Sequence, residues 1–68
     1  MTSIQLTEIE RDTLRMVVQG LTYTQMALQA GVGYETIKTR LVRLRSKTGT
    51  PNKTALAVWA TANLENTQ

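Results

Sequence analysis

The spacing of apolar residues predicts a chain of short helices separated by turns. Thr7 followed by Glu10 has the spacing of a capping box, so the first helix is predicted to begin at Thr7. Gly20 is predicted to end it. From Leu14 onwards, apolar side chains recur at the i, i+3, i+4, i+7 spacing of a buried helix face. The predicted stripe consists of Leu14, Val17, Val18 and Leu21.

A second, shorter helix is predicted after this turn. Thr22 or Thr24 can cap its start, and Gly31 closes it after about Ala30. Its inward-facing residues are predicted to be Met26 and Ala27, with Ala30 as a further candidate.

The third helix is predicted to run from about residue 34 to 47, because Gly33 precedes it and Gly49 with Pro51 stops it. Its core face is predicted to consist of Ile37, Leu41, Leu44 and Thr48. Asn52 is a good N-cap for a fourth helix. The stripe predicted to pack on the first and third helices is Leu56, Trp59 and Ala60, and the tail 65–68 is predicted to fray.

Length and composition then limit the possible functions. Sixty-eight residues are predicted to form one all-α domain, residues 1–68 with a core at 6–62. The chain contains no cysteine and no histidine, which removes thiol nucleophiles, imidazole bases and soft metal ligands. We therefore predict neither an enzyme nor a bound metal or cofactor. No apolar run approaches the ~20 residues of a membrane span, so we expect a cytoplasmic protein without a membrane partner.

The charge is polarised along the chain. The net charge is +3, and residues 8–12 hold three of the five acids, which face the positive end of the first helix dipole. Residues 38–53 hold no acid and six of the eight basic side chains, which are Lys38, Arg40, Arg43, Arg45, Lys47 and Lys53. A solvated surface helix normally mixes Glu with Lys, so this arrangement indicates a polyanionic partner.

The face of the third helix opposite its core combines cations with short side chains, which suits a DNA groove. Cations displace the counterions of phosphates, whereas small polar or methyl-bearing groups and one or two long donors can read base edges. The predicted base contacts are Lys38, Thr39, Val42 and Glu35, although the dipole of its own helix explains Glu35 better than a base contact does. The phosphate contacts predicted on this face are Arg40, Arg43 and Lys47.

Several motifs together resemble the LuxR/GerE-type DNA-binding domain of bacterial transcription factors. They are LT-x-x-E at 6–10, QGLT at 19–22, ETIKTRL at 35–41, KTGTPNKT at 47–54 and ALAVWA at 55–60, and the resemblance spans residues 6–60. It implies a tetrahelical helix-turn-helix domain whose third helix enters the major groove of DNA. The resemblance also places Thr24 and Thr36 near phosphates, and Thr22 is a further predicted phosphate contact. The resemblance further implies a fourth helix that pairs two domains on DNA, with a predicted interface at Ala55, Val58, Thr61 and Ala62.

The chain departs from the family pattern at a few positions. Gly33 replaces the usual Ser or Thr cap of the third helix, and Arg40 replaces a more common His or Asn. Threonines stand at three positions where aliphatic residues are usual, which predicts a thinner core: Thr13, Thr48 and Thr50.

The interpretation is a stand-alone transcriptional regulator, on the expectation that a chain beginning at Met1 carries no sensor domain. RNA polymerase or another regulator is a further expected partner. Two alternatives remain open. A sigma-factor region-four-like module also has a basic third helix, but its chain normally ends near that helix, whereas ALAVWA follows here. A protein-interaction module would instead form unproductive heterodimers with a full-length regulator through the fourth helix.

Overall fold

The structure is a computed structural model that describes residues 5–64. Its four helices are α1 (Glu8–Val18), α2 (Tyr23–Ala30), α3 (Tyr34–Thr48) and α4 (Lys53–Asn63), and the described residues include no strand. The predicted all-α, four-helix class is confirmed. None of these helices is long and apolar enough to cross a membrane. The prediction for the tail 65–68 lies outside the described residues.

Side chains cap three of the four helix starts. The Thr7 hydroxyl accepts from the Glu10 N–H at 3.1 Å, while Glu10 Oε1 accepts from the Thr7 N–H at 2.9 Å, so the predicted capping box is confirmed. Thr22, rather than Thr24, forms the same box with Gln25. Asn52 accepts from the Ala55 N–H and caps α4. The start of α3 lacks such a bond, because glycine offers no side chain.

Glycines end the first three helices as predicted. The φ angles are +81° at Gly20, +70° at Gly31 and +73° at Gly49. At Gly31 this left-handed conformation reverses the chain, and the Val32 N–H then donates to the Ala27 carbonyl at 3.0 Å. A side chain at that φ would clash with its own backbone, so the turn between α2 and α3 favours glycine.

One core joins the four helices. The most extensive packing is between α1 and α4, and α3 packs on each of the other three helices. The core face predicted for α3 is confirmed at Ile37, Leu41 and Leu44, which are buried, whereas Thr48 is half-buried. Fully buried partners from the other helices are Leu14, Met26, Leu56 and Ala60, with Trp59 and Leu21 partly buried against them.

Two predictions of buried residues are wrong. Val18 is 43% exposed, because the buried face of α1 is centred between Thr13 and Val17 and Val18 lies one residue further round the helix. The prediction missed Met16, which is buried. Ala30 is exposed because it lines an open hollow of about 410 Å³ among α1, α2 and α3.

The threonines at usually aliphatic positions all form hydrogen bonds. Thr13 is 1% exposed, and its hydroxyl donates to the Ile9 carbonyl at 2.9 Å. The Thr48 hydroxyl lies 2.8 Å from the Leu44 carbonyl and 2.9 Å from the Thr50 hydroxyl. Because a buried hydroxyl is costly only when it is unpaired, these residues replace apolar contact with local hydrogen bonds.

Candidate nucleic-acid interface

Side-chain contacts join the start of α3 to the start of α2, and the start of α2 to the start of α4. The rings of Tyr23 on α2 and Tyr34 on α3 lie 5.6 Å apart between centroids, with their planes tilted by 46°. Lys53, the first residue of α4, places its ammonium 5.5 Å from the Tyr23 ring centroid and donates to the Leu21 carbonyl at 2.6 Å. The starts of α2, α3 and α4 therefore meet at one corner of the domain.

The outward face of α3 is a continuous exposed strip. All four predicted base-contact residues lie on it. Among them, Val42 is apolar and yet exposes 48% of its surface. The side chains Glu35, Lys38, Thr39 and Val42 are within two turns of one another, while the opposite face holds the core. A helix of 15 residues is about 22 Å long and fits a DNA major groove.

Two arginines border this strip. Arg40 and Arg43, with Glu35, Thr36 and Thr39, line a shallow hollow of about 410 Å³ on the surface of α3. Arg40 is half-buried and Arg43 is exposed. Within residues 5–64, neither arginine nor Lys38 forms an ion pair. These cations are free to meet an external anion.

Two lysines of the basic run are instead occupied within the domain. Lys47 Nζ lies 2.9 Å from Glu10 Oε1 on α1, 37 residues earlier in the chain. Lys53 contacts Leu21 and Tyr23 as described above. The basic run at 38–53 therefore contains two groups of cations. Some face solvent without an ion pair among the described residues, and others contact neighbouring helices or turns of the domain.

The ion pair changes the protonation behaviour of Glu10. Partial burial by itself would raise the pKa of this carboxyl, but the hydrogen bond and charge of Lys47 and the two hydrogen bonds with Thr7 outweigh it. The net result is a pKa below the ordinary value of 4.5. The carboxylate is thereby kept ionised beside Lys47.

The start of α2 adds polar groups beside α3. Thr22 and Thr24, with Tyr23, Tyr34 and Lys53, line an open hollow of about 350 Å³. The Thr22 oxygen accepts the Gln25 N–H, so its own hydrogen remains available to a further acceptor. The first N–H groups of a helix also lack intrahelical partners and attract anions. Thr36, in the first turn of α3, is exposed.

A second, separate surface lies on α4. Val58 is 66% exposed, and Thr61 and Ala62 are also exposed, whereas Ala55 is half-buried. The predicted interface residues therefore share an accessible face, apart from the partial burial of Ala55.

Sequence reasoning missed four contributors to this arrangement. The spacing of Glu10 from Thr7 predicted a capping role for Glu10. No local pattern indicated that Glu10 also pairs with Lys47. The contacts among Tyr23, Tyr34 and Lys53 join three helices. The spacing of apolar residues along the chain does not predict them either. The only available signal was that both tyrosines stand at helix starts.

The geometry can be compared with known families. A profile of bacterial regulatory proteins of the luxR family matches residues 4–60. The chain belongs to the LuxR family. LuxR-family domains of this type are DNA-binding helix-turn-helix regulators, which fits the arrangement of α2, the Gly31 turn and α3. No curated protein matches this LuxR-family chain.

Proposed function

We propose that the domain binds duplex DNA sequence-specifically, with α3 in the major groove, and thereby regulates transcription. The observation that carries the proposal is the outward face of α3. Its cations Lys38, Arg40 and Arg43 have no ion-pair partner within the described residues, and short side chains separate them. Such a face combines phosphate affinity with close approach to base edges.

The proposed reading strip lies at the centre of that face. Lys38 can donate to guanine O6 and N7, and Thr39 and Val42 can contact a thymine methyl. Glu35, in the first turn, can accept from cytosine N4. The exposure of these four side chains on adjacent turns supports the proposal.

The proposed phosphate contacts surround the strip. Arg40 and Arg43 border it on α3, and the hydroxyls of Thr22, Thr24 and Thr36 lie at or near the starts of α2 and α3. Hydroxyl groups and helix N-termini are common phosphate ligands in protein–DNA complexes. Lys47 is a further candidate, but it must first give up Glu10. Binding to bacterial DNA would bring the protein to the nucleoid in the cytoplasm.

We further propose that two domains pair through α4 on an inverted repeat. The exposed apolar Val58 beside small Thr61 and Ala62 supports close approach of two helices. A single domain reads few bases, so pairing on DNA supplies the selectivity that one domain lacks.

The DNA proposal can be tested by site selection followed by salt-dependent binding. Duplexes enriched from a random pool are titrated with wild type, Lys38→Ala and Arg43→Ala, with Arg11→Ala on α1 as a charge-matched control. We expect Arg43→Ala to flatten the slope of log K against log salt by about 0.9. Lys38→Ala should cost about 1–3 kcal/mol and relax specificity at one position, while Arg11→Ala changes little.

The opposite result favours the interaction module. If the two α3 variants are folded and bind DNA with the affinity, specificity and salt slope of Arg11→Ala, then α3 is not the reading helix. The Val58 surface would then be the first place to search for a protein partner.

A further inference from the structure

One ion pair connects the start of α1 with the end of the basic face. Glu10 Oε1 accepts hydrogen bonds from Lys47 Nζ and from the Thr7 N–H, each at 2.9 Å. Lys47 belongs to the last turn of α3, one turn beyond Arg43. It is thus a cation of the α3 surface that an acid of the same chain neutralises.

We propose that Glu10 limits the affinity of the domain for DNA by competing with a phosphate for Lys47. The inference rests on the proposed function. In the free domain Lys47 is held by Glu10, and it can contact DNA only by leaving that carboxylate. Glu10 is therefore a positioning residue that reduces the number of phosphates α3 neutralises.

Differences among the cations support this role. Lys38, Arg40 and Arg43 have no ion-pair partner among residues 5–64, so their charges are available without a competing cost. The side chains of Lys47 and Glu10 retain 38% and 24% of their exposure, so water partly screens the pair. Partly exposed pairs of this kind are weak, so a row of phosphates can compete with Glu10 for Lys47.

The second capping box indicates which substitution would separate the two roles of Glu10, which are capping α1 and pairing with Lys47. In the second capping box Gln25 occupies the equivalent position and accepts from the Thr22 N–H at 2.8 Å. A glutamine can therefore replace Glu10 as the capping partner, because capping needs a side-chain oxygen and not a charge. Glu10→Gln should keep the start of α1 intact and release Lys47.

The experiment compares Glu10→Gln with Glu8→Gln on selected duplexes across a range of salt concentrations. Glu8 is exposed in the same first turn and forms no ion pair within the described residues, so the control makes the same change in net charge. We expect Glu10→Gln to raise affinity at low salt up to about fivefold more than Glu8→Gln does. The salt slope should steepen by about 0.9, because one more phosphate is neutralised.

A Lys47→Ala background identifies the group responsible. There the additional gain from Glu10→Gln should disappear, because no cation remains to be released. Thermal unfolding of each variant confirms that it is folded before binding is compared.

Three outcomes would count against the inference, and they are distinct. If wild type binds and Glu10→Gln matches Glu8→Gln in affinity and slope, Glu10 does not restrain Lys47 and only this inference fails. If the gain in affinity from Glu10→Gln persists in the Lys47→Ala background, Glu10 acts through the overall electrostatic field of the domain, and competition for Lys47 is not the cause. If neither wild type nor folded Glu10→Gln binds any duplex, the proposed function fails and the inference with it.

Discussion

Single residues in this domain often serve more than one element, and Glu10 is the clearest example. The same carboxylate oxygen completes the cap of α1 and holds Lys47 at the end of α3. It therefore contributes both to the start of one helix and to the packing of two. Its lowered pKa follows from the donors around it, which outweigh the effect of partial burial.

The stability of the fold should depend on the charge of Glu10 at acid pH. Its folded pKa lies below the ordinary 4.5, so its contribution is fully present above about pH 4.5 and is lost as the pH falls through the folded value. We expect Glu10→Gln to reduce the free energy of unfolding by up to about 1 kcal/mol at pH 7. Below the folded pKa that difference should shrink towards zero, because the wild-type carboxyl is then neutral as well.

Urea unfolding of both proteins at several pH values measures this difference directly. Glu8→Gln is the matched control, because it removes one negative charge from the same first turn of α1 without breaking an ion pair among the described residues. A difference between Glu10→Gln and wild type that stays constant as the pH falls through the folded pKa of Glu10 would contradict the ion pair as its cause.

At the residue scale, the sequence predicted what depends on neighbours along the chain. The capping role of Glu10 follows from its distance to Thr7, three residues away. Its pairing with Lys47 depends on how α1 crosses α3, and no local pattern encodes that crossing. For the same reason, the sequence did not distinguish the roles of the basic residues at 38–53. In the structure, Lys47 and Lys53 bind groups of the same domain.

Among the elements, α3 has the least favourable start. Its N-cap Gly33 has φ −80° and ψ 162°, which any residue can adopt, and a Cβ there would meet no atom within 4 Å. The position thus accepts a side chain, but glycine leaves the first N–H groups of α3 without a capping oxygen.

Gly33→Ser should stabilise the domain by a few tenths of a kcal/mol, because a serine hydroxyl can accept from the first turn of α3. Gly33→Ala is the control and should destabilise by about 0.5 kcal/mol, since alanine is a poorer N-cap than glycine. Chemical unfolding of the three proteins measures the order Ser, Gly, Ala. An alanine variant as stable as the serine variant would show that the gain comes from reduced backbone freedom.

Element boundaries were predicted well because capping and glycine turns are local signals. Thr7, Asn52 and the three left-handed glycines all have their predicted roles. Which side chains each helix buries was harder to predict, since that depends on the neighbouring helices. Val18 fits the apolar repeat of α1, but the partners of α1 lie towards Thr13 and Met16.

For the whole molecule, pairing through α4 makes a separate prediction. Val58→Glu should remove most of the cooperativity between paired half-sites, about tenfold or more, because it places charges across the two-fold axis. Leu28→Glu is the control, since Leu28 is an equally apolar, exposed residue on α2. The measured quantity is the ratio of paired-site to single-site affinity, which cancels effects on each domain alone. Cooperativity that survives Val58→Glu would place the interface elsewhere.

The contact between Glu10 and Lys47 also makes the distribution of positive charge along α3 uneven. Because it fastens the acidic start of α1 to the end of α3, the positive potential of the basic face is concentrated around Lys38, Arg40 and Arg43. If α3 reads DNA as proposed, an approaching duplex would be drawn towards that part of the helix before it meets a base. Encounter complexes would then form in a restricted set of orientations, so the rate of association with DNA would depend on where an acid of α1 is attached.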